Sequence, residues 1–273
     1  NMGEEPLLWS EFSPALYKLN VELLTDEGAD NQLVDFGMKS FGVKGTQFTI
    51  NGKTTFLRGK HDGCVFPLTG YPSTEVTDWL EQFRIAQRYG INHIRFHSWT
   101  PPVAAFKAAD IAGVYLQPEL PFWGTMDAKN TSLNQCLLHE GEQLLKEYGN
   151  SPSFTMMALG NELNGDINLM RRLVNHFRSM DNRHLYSFGS NNNLGTAGEQ
   201  AGEDFFVTCR VGRDTDSTYA THVRSSFSFA DAWKGGILNG TYPSTRWNYA
   251  KAISNSSIPV VSHENGQFQV YPD

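Results

Sequence analysis

Two glutamates each lie where a short apolar run turns abruptly polar. Glu162 ends the run over residues 153–162, and Glu264 lies in the run over residues 258–267. Apolar runs of this length, bounded by turn residues, predict strands that are buried on both faces, as in a parallel sheet. The C-terminal strand ends form the active-site face of a parallel α/β barrel. Glutamates at two such ends could supply the proton donor and the nucleophile or base that cleavage of a glycosidic bond requires.

The elements that must hold these glutamates alternate between strand and helix from residue 41 onward. Strands are predicted over residues 55–59, 91–97, 114–120, 154–162, 184–190, 204–210 and 258–264. Helices are predicted over residues 74–89, 102–112, 133–148, 167–180, 221–234 and 244–255. Apolar spacing and closing glycines define most of these helices. Repeated strand–helix units of this kind imply a parallel sheet.

The number of strands predicts the fold class. Seven strands indicate an α/β fold of the (β/α)8 TIM-barrel type that is truncated after strand seven, since an intact barrel needs roughly another helix and strand. The alternative is a doubly wound open sheet, which should carry a glycine-rich phosphate turn after an early strand. Residues 58–63 contain no GxGxxG pattern, and no GxxxxGK[ST] pattern occurs in the chain. The barrel is therefore favoured.

The first 40 residues have a different pattern. Apolar residues alternate with polar ones at Tyr17, Leu19, Val21 and Leu23. This alternation predicts a half-buried strand of an antiparallel sheet, followed by a turn over residues 25–28 and a second strand over residues 32–39. Two strands do not form a stable domain alone. We therefore expect residues 1–40 to be the last strands of a β-sandwich whose upstream part belongs to the same full-length chain, and residues 41–273 to be the barrel domain.

The net charge and the cysteines narrow the classes of partner. The 273 residues have a formal net charge of −7 and no Lys/Arg-rich run, which argues against nucleic acid or an anionic membrane as a partner. No apolar run approaches the length of a membrane span. Cys64, Cys136 and Cys209 form no CxxC pair, so neither a disulfide framework nor a structural zinc site is expected. We expect neither a cofactor nor a metal ion.

Other side chains near the predicted strand ends could line a pocket. Arg95 would point into the barrel, where a buried arginine must have a partner. It either contacts Glu264 and holds that carboxylate ionised, or forms an internal ion pair of purely structural value. Histidine and aromatic side chains form a second group, which comprises His61, His97, Trp99, Trp123 and Trp233. The histidines and Trp99 are candidates for the pocket wall, whereas Trp123 and Trp233 could stack on a sugar ring or pack in the core.

Short motifs occur along the chain in a recognisable order. They are Trp9, Pro14, Leu16, Tyr17 and Leu19, then Phe36-Gly37, Phe41-Gly42, Asn51-Gly52-Lys53, Phe56-Leu57-Arg58-Gly59, Ile94-Arg95, Gly160-Asn161-Glu162 and Glu264-Asn265-Gly266. In this order and spacing they resemble glycoside hydrolase family 2, the family of β-galactosidases, β-glucuronidases and β-mannosidases. The resemblance covers nearly the whole chain, from the end of the family's immunoglobulin-like domain through most of its barrel.

The resemblance implies a role for each central residue. Glu162 would be the general acid/base and Glu264 the nucleophile, and Asn161 would hydrogen-bond the hydroxyl beside the reacting carbon of the sugar. Retention of configuration then requires the two carboxyl groups to lie about 5–5.5 Å apart. The sequence departs from the family pattern at Asn265, where an aromatic residue is common, and at His97, which is displaced from the family's histidine.

The function that the resemblance implies is that of a retaining exo-β-glycosidase. Its substrate would be an oligosaccharide or glycoside with a terminal β-linked sugar. β-Galactosidase is the first expectation, on family frequency, and β-glucuronidase and β-mannosidase are the alternatives. An alternative from another class is a non-catalytic carbohydrate-binding barrel. Because both glutamates are present, the enzyme is favoured.

Overall fold

A computed structural model describes residues 4–189, 199–209, 254 and 256–263 of the chain. Its strands are β1 Tyr17–Thr25, β2 Gly28–Phe36, β3 Phe41–Lys44, β4 Gln47–Ile50, β5 Lys53–Thr55, β6 Gly59–Asp62, β7 His93–Phe96, β8 Tyr115–Gln117, β9 Trp123–Met126, β10 Met156–Ala158, β11 Asn161–Gly165, β12 Leu185–Ser187, β13 Phe206–Cys209 and β14 Val260–His263. Its helices are α1 Val76–Arg88, α2 Val103–Ala112, α3 Thr131–Tyr148 and α4 Ile167–Met180.

Parallel strands succeed one another in chain order. β6 pairs with β7 and β7 with β8, and parallel bridges join the β8 strand to the β10 strand. β10 pairs with β12, the backbone N–H of Asp204 donates to the carbonyl of Tyr186, and β13 pairs with β14. A doubly wound sheet reverses its strand order at a switch point. The described strands show no such reversal, and their succession is the one that an α/β barrel has.

Alternate side chains of these strands face opposite sides. Ile94 and Phe96 of β7 join the main apolar cluster, to which α1 contributes Trp79 and Phe83. His93 and Arg95 point the other way, because successive strand residues alternate between faces. Together with Gln117, Val207 and Val261 they line a cavity of about 580 Å³. Strands from both ends of the succession therefore border one interior space.

The helices begin and end where the sequence provides caps. The side chains of Asn130 and Asp166 accept hydrogen bonds from the first turns of α3 and α4, which satisfies backbone donors that a helix start leaves free. Gly113 ends α2 in the left-handed conformation, as glycine commonly does. The buried face of α4 includes Val174 and Phe177, and its bounds are those that the apolar spacing predicts.

A three-stranded antiparallel sheet, β3–β4–β5, closes one end of the parallel strands. The tight turn at Asn51-Gly52 joins β4 to β5, as that dipeptide predicts. The sheet contributes Phe41, Phe48 and Ile50 to a second apolar cluster, in which Trp9, Tyr115, Met156 and Phe205 also lie. Tyr115 and Met156 are the first residues of their strands, so the sheet covers the N-terminal ends and leaves the C-terminal ends for the candidate site.

The hairpin β1–β2 is a separate two-stranded sheet, paired from Tyr17 and Phe36 to Thr25 and Gly28. Its second strand begins four residues earlier than the sequence pattern predicts. The alternation of β1 predicts one buried face, yet Leu19 and Leu23 are 51% and 61% exposed among the described residues. The period of two identifies the side chains that share a face, but it does not identify what covers that face.

Five predicted barrel strands are shorter in the structure but lie within their predicted ranges, and two differ more. The first is Gly59–Asp62 rather than residues 55–59, because residues 53–55 are taken by the hairpin strand β5 and Phe56 is exposed. The fourth ends at Ala158, and residues 161–165 form β11, which pairs with β9 instead. The helices predicted over residues 221–234 and 244–255 lie almost wholly outside the described residues. No helix that the structure describes is both long and apolar enough to cross a bilayer.

Candidate active site

The C-terminal ends of four parallel strands bring polar side chains together. His61 lies near the end of β6 and Arg95 near the end of β7, while Glu119 follows β8 by two residues. Asn161 and Glu162 follow β10 and begin β11. Neighbouring parallel strands end on the same side of a barrel, so these residues share the face at which barrel enzymes bind their substrates.

Arg95 and Glu119 form a buried ion pair. The Nε of Arg95 lies 2.7 Å from Oε1 of Glu119 and Nη2 lies 3.0 Å from Oε2, an arrangement in which two parallel hydrogen bonds fix the guanidinium plane. The side chains are 7% and 0% exposed. The backbone N–H of Ser98 also donates to Glu119 Oε2, over 2.9 Å. The predicted contact between Arg95 and Glu264 stays a prediction, because Glu264 lies outside the described residues.

The Asn161 side chain is fixed by Arg95 and is itself fully buried. Its Oδ1 accepts from Nη2 of Arg95 over 2.7 Å, and its backbone N–H donates to the carbonyl of Phe122 over 2.9 Å. A guanidinium has donors but no acceptor, so the amide oxygen must face Arg95 and the amide nitrogen must point away from it. Within the described part of the chain, Asn161 Nδ2 is buried and has no hydrogen-bond partner. Asn161 therefore presents an unsatisfied donor beside Glu162.

The backbone turns sharply where it presents Glu162. Gly160 has φ +138°, and a Cβ at this position would collide with the carbonyl oxygen of Phe122. Glu162 has φ +46°, in the left-handed region that residues other than glycine rarely adopt and that costs of the order of 1–3 kcal/mol. Such backbone outliers cluster at functional sites. The turn takes the chain out of the barrel strand and leaves Glu162 half-buried at its rim.

A histidine and tryptophan wall lies beside this turn. The rings of His61 and His97 have centroids 4.8 Å apart, and His97 meets Trp123 edge to face at 5.5 Å. Nη1 of Arg95 lies 3.3 Å from Nδ1 of His61. Since arginine can only donate, Nδ1 accepts and the neutral imidazole carries its proton on Nε2. Trp123 is 60% exposed, so its alternative assignment to the core is wrong.

Trp99 has a supporting position at the edge of this group. Its Nε1 donates to the carbonyl of Asp62 over 3.1 Å, and its ring packs edge-on against Phe96 and Phe66. It is half-buried against the apolar cluster. Trp233, like Glu264, lies outside the described residues. The structure thus brings together His61, Arg95, His97, Trp123, Asn161 and Glu162.

Glu119 is the residue at this site that sequence reasoning left without a role. It follows an apolar strand, in Pro118-Glu119-Leu120, and in this respect resembles Glu162 and Glu264. The predicted partner of Arg95 was a carboxylate at a strand end, and the structure provides one at β8. Its signal was therefore present, but a lone glutamate after a strand does not reveal which arginine it faces.

His93 is a buried ionisable group below the site. Burial, together with the positive charge of Arg95, lowers the pKa of His93 to about 4, so His93 is neutral at ordinary pH. The described residues contain no group of three or more His, Cys, Asp or Glu that could hold a metal ion. Proton transfer and charge stabilisation by side chains are the chemistry that these groups can provide.

Sequence comparisons relate the chain to glycosidases, although no family model matches it. A β-galactosidase of Oenococcus oeni is 26% identical over 167 residues, which cover 58% of this chain and 16% of the relative. The β-glucuronidase of Mus musculus is 24% identical over 199 residues, which cover 68% of this chain and 30% of the relative. The chain thus spans less than a third of the length of these two curated relatives.

Solved structures of glycosidases superpose on this chain. The β-D-glucuronidase from Dictyoglomus thermophilum superposes with a TM-score of 0.64 at 20% identity, over 75% of this chain and 38% of that one. The β-glucuronidase from Parabacteroides merdae has a TM-score of 0.59 at 20% identity, over 67% of this chain and 24% of that one.

The fold is therefore the one found in these glycosidases. The particular resemblance that the motifs predict, to glycoside hydrolase family 2, is confirmed, since the curated relatives are β-galactosidases and β-glucuronidases and a family 2 member from Bacteroides cellulosilyticus superposes with a TM-score of 0.61.

Proposed function

We propose that this protein, at its full length, is a retaining exo-β-glycosidase that uses Glu162 and Glu264. The observation that carries the proposal is the buried Asn161, whose unsatisfied amide donor lies next to Glu162 at the C-terminal ends of the strands. A buried donor without a partner costs free energy unless a ligand satisfies it. A sugar hydroxyl beside the reacting carbon would do so.

The proposed reaction has two steps. First, Glu264 attacks the anomeric carbon while the bond from that carbon to the leaving oxygen breaks and Glu162 donates its proton to that oxygen. Second, Glu162 takes a proton from water, the water oxygen attacks the anomeric carbon, and the bond to Glu264 breaks. Two inversions give net retention of the β configuration. We further expect Arg95 to lie close enough to Glu264 to favour its ionised form.

The side chains around Glu162 would bind the sugar. Asn161 Nδ2 would donate to the hydroxyl next to the anomeric carbon, and this bond would strengthen in the transition state. Trp123 presents an exposed indole that could stack on a sugar face. His61 and His97 would form part of the pocket wall. Trp99, which packs against Phe66 and Phe96, would support this wall. Glu264 and Trp233 complete the set of residues proposed from the sequence.

The names of the relatives indicate which two substrate classes to test first. Several curated relatives are β-galactosidases, which favours a β-galactoside as the first substrate to test. β-Glucuronidases occur both among the curated relatives and among the superposed structures, which makes a β-glucuronide the second. A panel of aryl β-galactosides, β-glucuronides and β-mannosides, assayed on the full-length protein, would identify the sugar. Binding of these sugars without hydrolysis would instead support a non-catalytic carbohydrate-binding barrel.

Variants of the two glutamates test the mechanism. Glu162→Ala should keep a fast first step on a dinitrophenyl glycoside, whose acidic leaving group needs little protonation, and then stall. Azide should rescue this variant and give the β-glycosyl azide. Glu264→Ala should show no burst of dinitrophenol release, because no covalent intermediate can form. Azide should give the inverted α-glycosyl azide with this variant.

Glu140→Ala, which removes an exposed carboxylate from α3, is the matched control and should keep wild-type activity. Burst kinetics and the anomeric configuration of the azide product are the measurements. If the two variants exchanged these behaviours, the two roles would be reversed; full activity in both would place the site elsewhere.

A further inference from the structure

Glu119 is the most deeply buried charged group at the candidate site, and the proposed reaction gives it no part. It is 0% exposed and its described contacts are to Arg95 and to the backbone of Ser98. A buried carboxylate is costly unless it is paired and hydrogen-bonded. The arrangement of its two bonds to Arg95 indicates what it provides.

An asparagine amide has two ends of nearly equal size and opposite hydrogen-bonding character. Asn161 can present either Nδ2 or Oδ1 to a sugar, and only its other contact decides which. Arg95 makes that contact over 2.7 Å and can only donate. As long as Nη2 of Arg95 is held there, Asn161 presents Nδ2.

Arg95 in turn needs a fixed guanidinium. Arginine has a long side chain with many rotamers, and a paired carboxylate removes most of that freedom. Glu119 holds Nε and Nη2 together, which sets the guanidinium plane and leaves Nη2 shared with Asn161. The same plane directs Nη1 at Nδ1 of His61. Through this plane, the Glu119 carboxylate acts on the hydrogen-bonding direction of both Asn161 and His61.

We propose that Glu119 is a positioning residue for sugar recognition, which fixes the Asn161 amide through Arg95 so that Nδ2 donates into the site. This inference rests on the proposed function and deepens it. Glu119→Gln keeps the shape of the side chain, but its amide NH₂ would face one N–H of Arg95 and break one of the two bonds. Nη2 of Arg95 would then be held less firmly at Asn161 Oδ1, and the Asn161 amide could turn.

The kinetic test compares an aryl β-glycoside that the protein cleaves with the 2-deoxy form of the same glycoside. The ratio of the two kcat/KM values measures how much the hydroxyl beside the anomeric carbon contributes, and differences in intrinsic reactivity cancel between variants. Glu119→Gln should reduce this ratio about tenfold. Glu119→Asp, which retains a carboxylate, should reduce it less and also serves if Glu119→Gln does not fold.

The double variant separates positioning from a structural role. In an Asn161→Ala background, Glu119→Gln should change the ratio no further, since the group through which it acts is gone. Glu11→Gln is the matched control, because Glu11 also accepts from an arginine, Arg58, and from Asn92 at the opposite ends of the strands. Its ratio should match that of the wild type. An equal loss on both glycosides with Glu119→Gln, or additive losses in the double variant, would overturn the proposal.

A crystal structure of Glu119→Gln gives a readout that does not depend on activity. The distance from Arg95 Nη2 to Asn161 Oδ1, 2.7 Å in the wild type, should lengthen beyond hydrogen-bonding range. An unchanged distance would refute the positioning role whatever the kinetics show. If the wild-type protein cleaves no glycoside in the panel, the proposed function fails, and the crystal structure still decides whether Glu119 fixes the amide.

Discussion

Trp123 is the aromatic residue of the candidate site with the most exposed ring. Its indole is 60% exposed and contacts His97 edge to face, so one face remains accessible to a ligand. Trp123→Ala should raise KM about tenfold with little change in kcat, because stacking on a sugar binds the ground state and the transition state alike. Steady-state kinetics on the preferred aryl glycoside would measure both constants.

Tyr89→Ala is the control for this experiment, since Tyr89 is an aromatic residue with 82% exposure at the C-terminal end of α1. Its KM should equal that of the wild type. A Trp123→Ala variant with unchanged KM would show that the indole does not bind the sugar.

Single residues at this site were predictable to different degrees. Asn161, Glu162 and Arg95 follow from motifs at strand ends, and the structure places these three together. The sequence leaves the position of Trp123 open, because a tryptophan after a strand fits a core or a rim equally well. The Glu119–Arg95 pair could not be derived, since the sequence spacing of 24 residues reports neither the register between β7 and β8 nor the direction of the side chains.

The turn between β10 and β11 is the element on which the presentation of Glu162 depends. Gly160→Ala would place a Cβ against the carbonyl of Phe122 and impose a left-handed conformation on alanine. We expect a loss of roughly 3 kcal/mol in the free energy of unfolding, together with a fall in kcat/KM, because relief of the clash would displace Asn161 and Glu162. Denaturant unfolding and hydrolysis assays would measure the two effects.

Gly70→Ala is the matched control for the backbone effect. Gly70 also has a positive φ, of +78°, but a Cβ there would meet no atom within 4 Å. Gly70→Ala should lower the free energy of unfolding by about 1 kcal/mol and leave kcat/KM unchanged. If Gly160→Ala were no worse than Gly70→Ala in both measurements, the close approach to Phe122 would not matter.

At the level of elements, the sequence predicts type and order better than bounds. The helix α4 was predicted at its observed limits because its apolar spacing and its capping Asp166 agree. The pair β9–β11 was missed, since residues 161–165 are mainly polar and extend a strand that the apolar run had already accounted for. An apolar pattern reports burial, and this pair is held by backbone bonds near the rim.

Across the whole molecule, buried ionisable groups link stability to pH. The pKa of His93 is lowered to about 4 by burial and by Arg95. Below its ordinary pKa near 6.5 the unfolded chain binds a proton that the folded chain refuses, so this group costs stability as the pH falls from about 6.5 to 4. Over that pH interval, the free energy of unfolding of His93→Gln should therefore fall by about 3 kcal/mol less than that of the wild type.

Urea unfolding at pH 7 and at pH 4.5 would measure this difference. Comparison with the wild type is essential, because burial raises the pKa values of Asp110 and Glu203 to about 6 and 7, and these carboxyls favour the folded state as the pH falls. His139→Gln, on the exposed face of α3, is the control and should follow the wild type. Equal pH dependence in the His93 variant and the wild type would contradict the assignment.

The architecture as a whole was the most predictable feature. Alternating strand and helix patterns indicated parallel strands in chain order, and the described strands have that order. The hairpin β1–β2 was predicted as a pair, but its exposed apolar side chains were not, because alternation alone carries no information about the covering surface. The alternation within one strand does not show which distant part of the protein covers its apolar face.

At Glu162, the residue type that best suits the left-handed backbone differs from the residue type that the proposed proton transfer requires. Asparagine and glycine adopt this conformation more readily than glutamate, whereas neither could transfer a proton as a carboxylic acid does. If Glu162 is the proposed acid/base, a lineage that no longer needed hydrolysis would gain stability by exchanging it for asparagine or glycine. Under the proposed function, the residue found at this position in related chains would therefore indicate whether hydrolysis is still under selection in each of them.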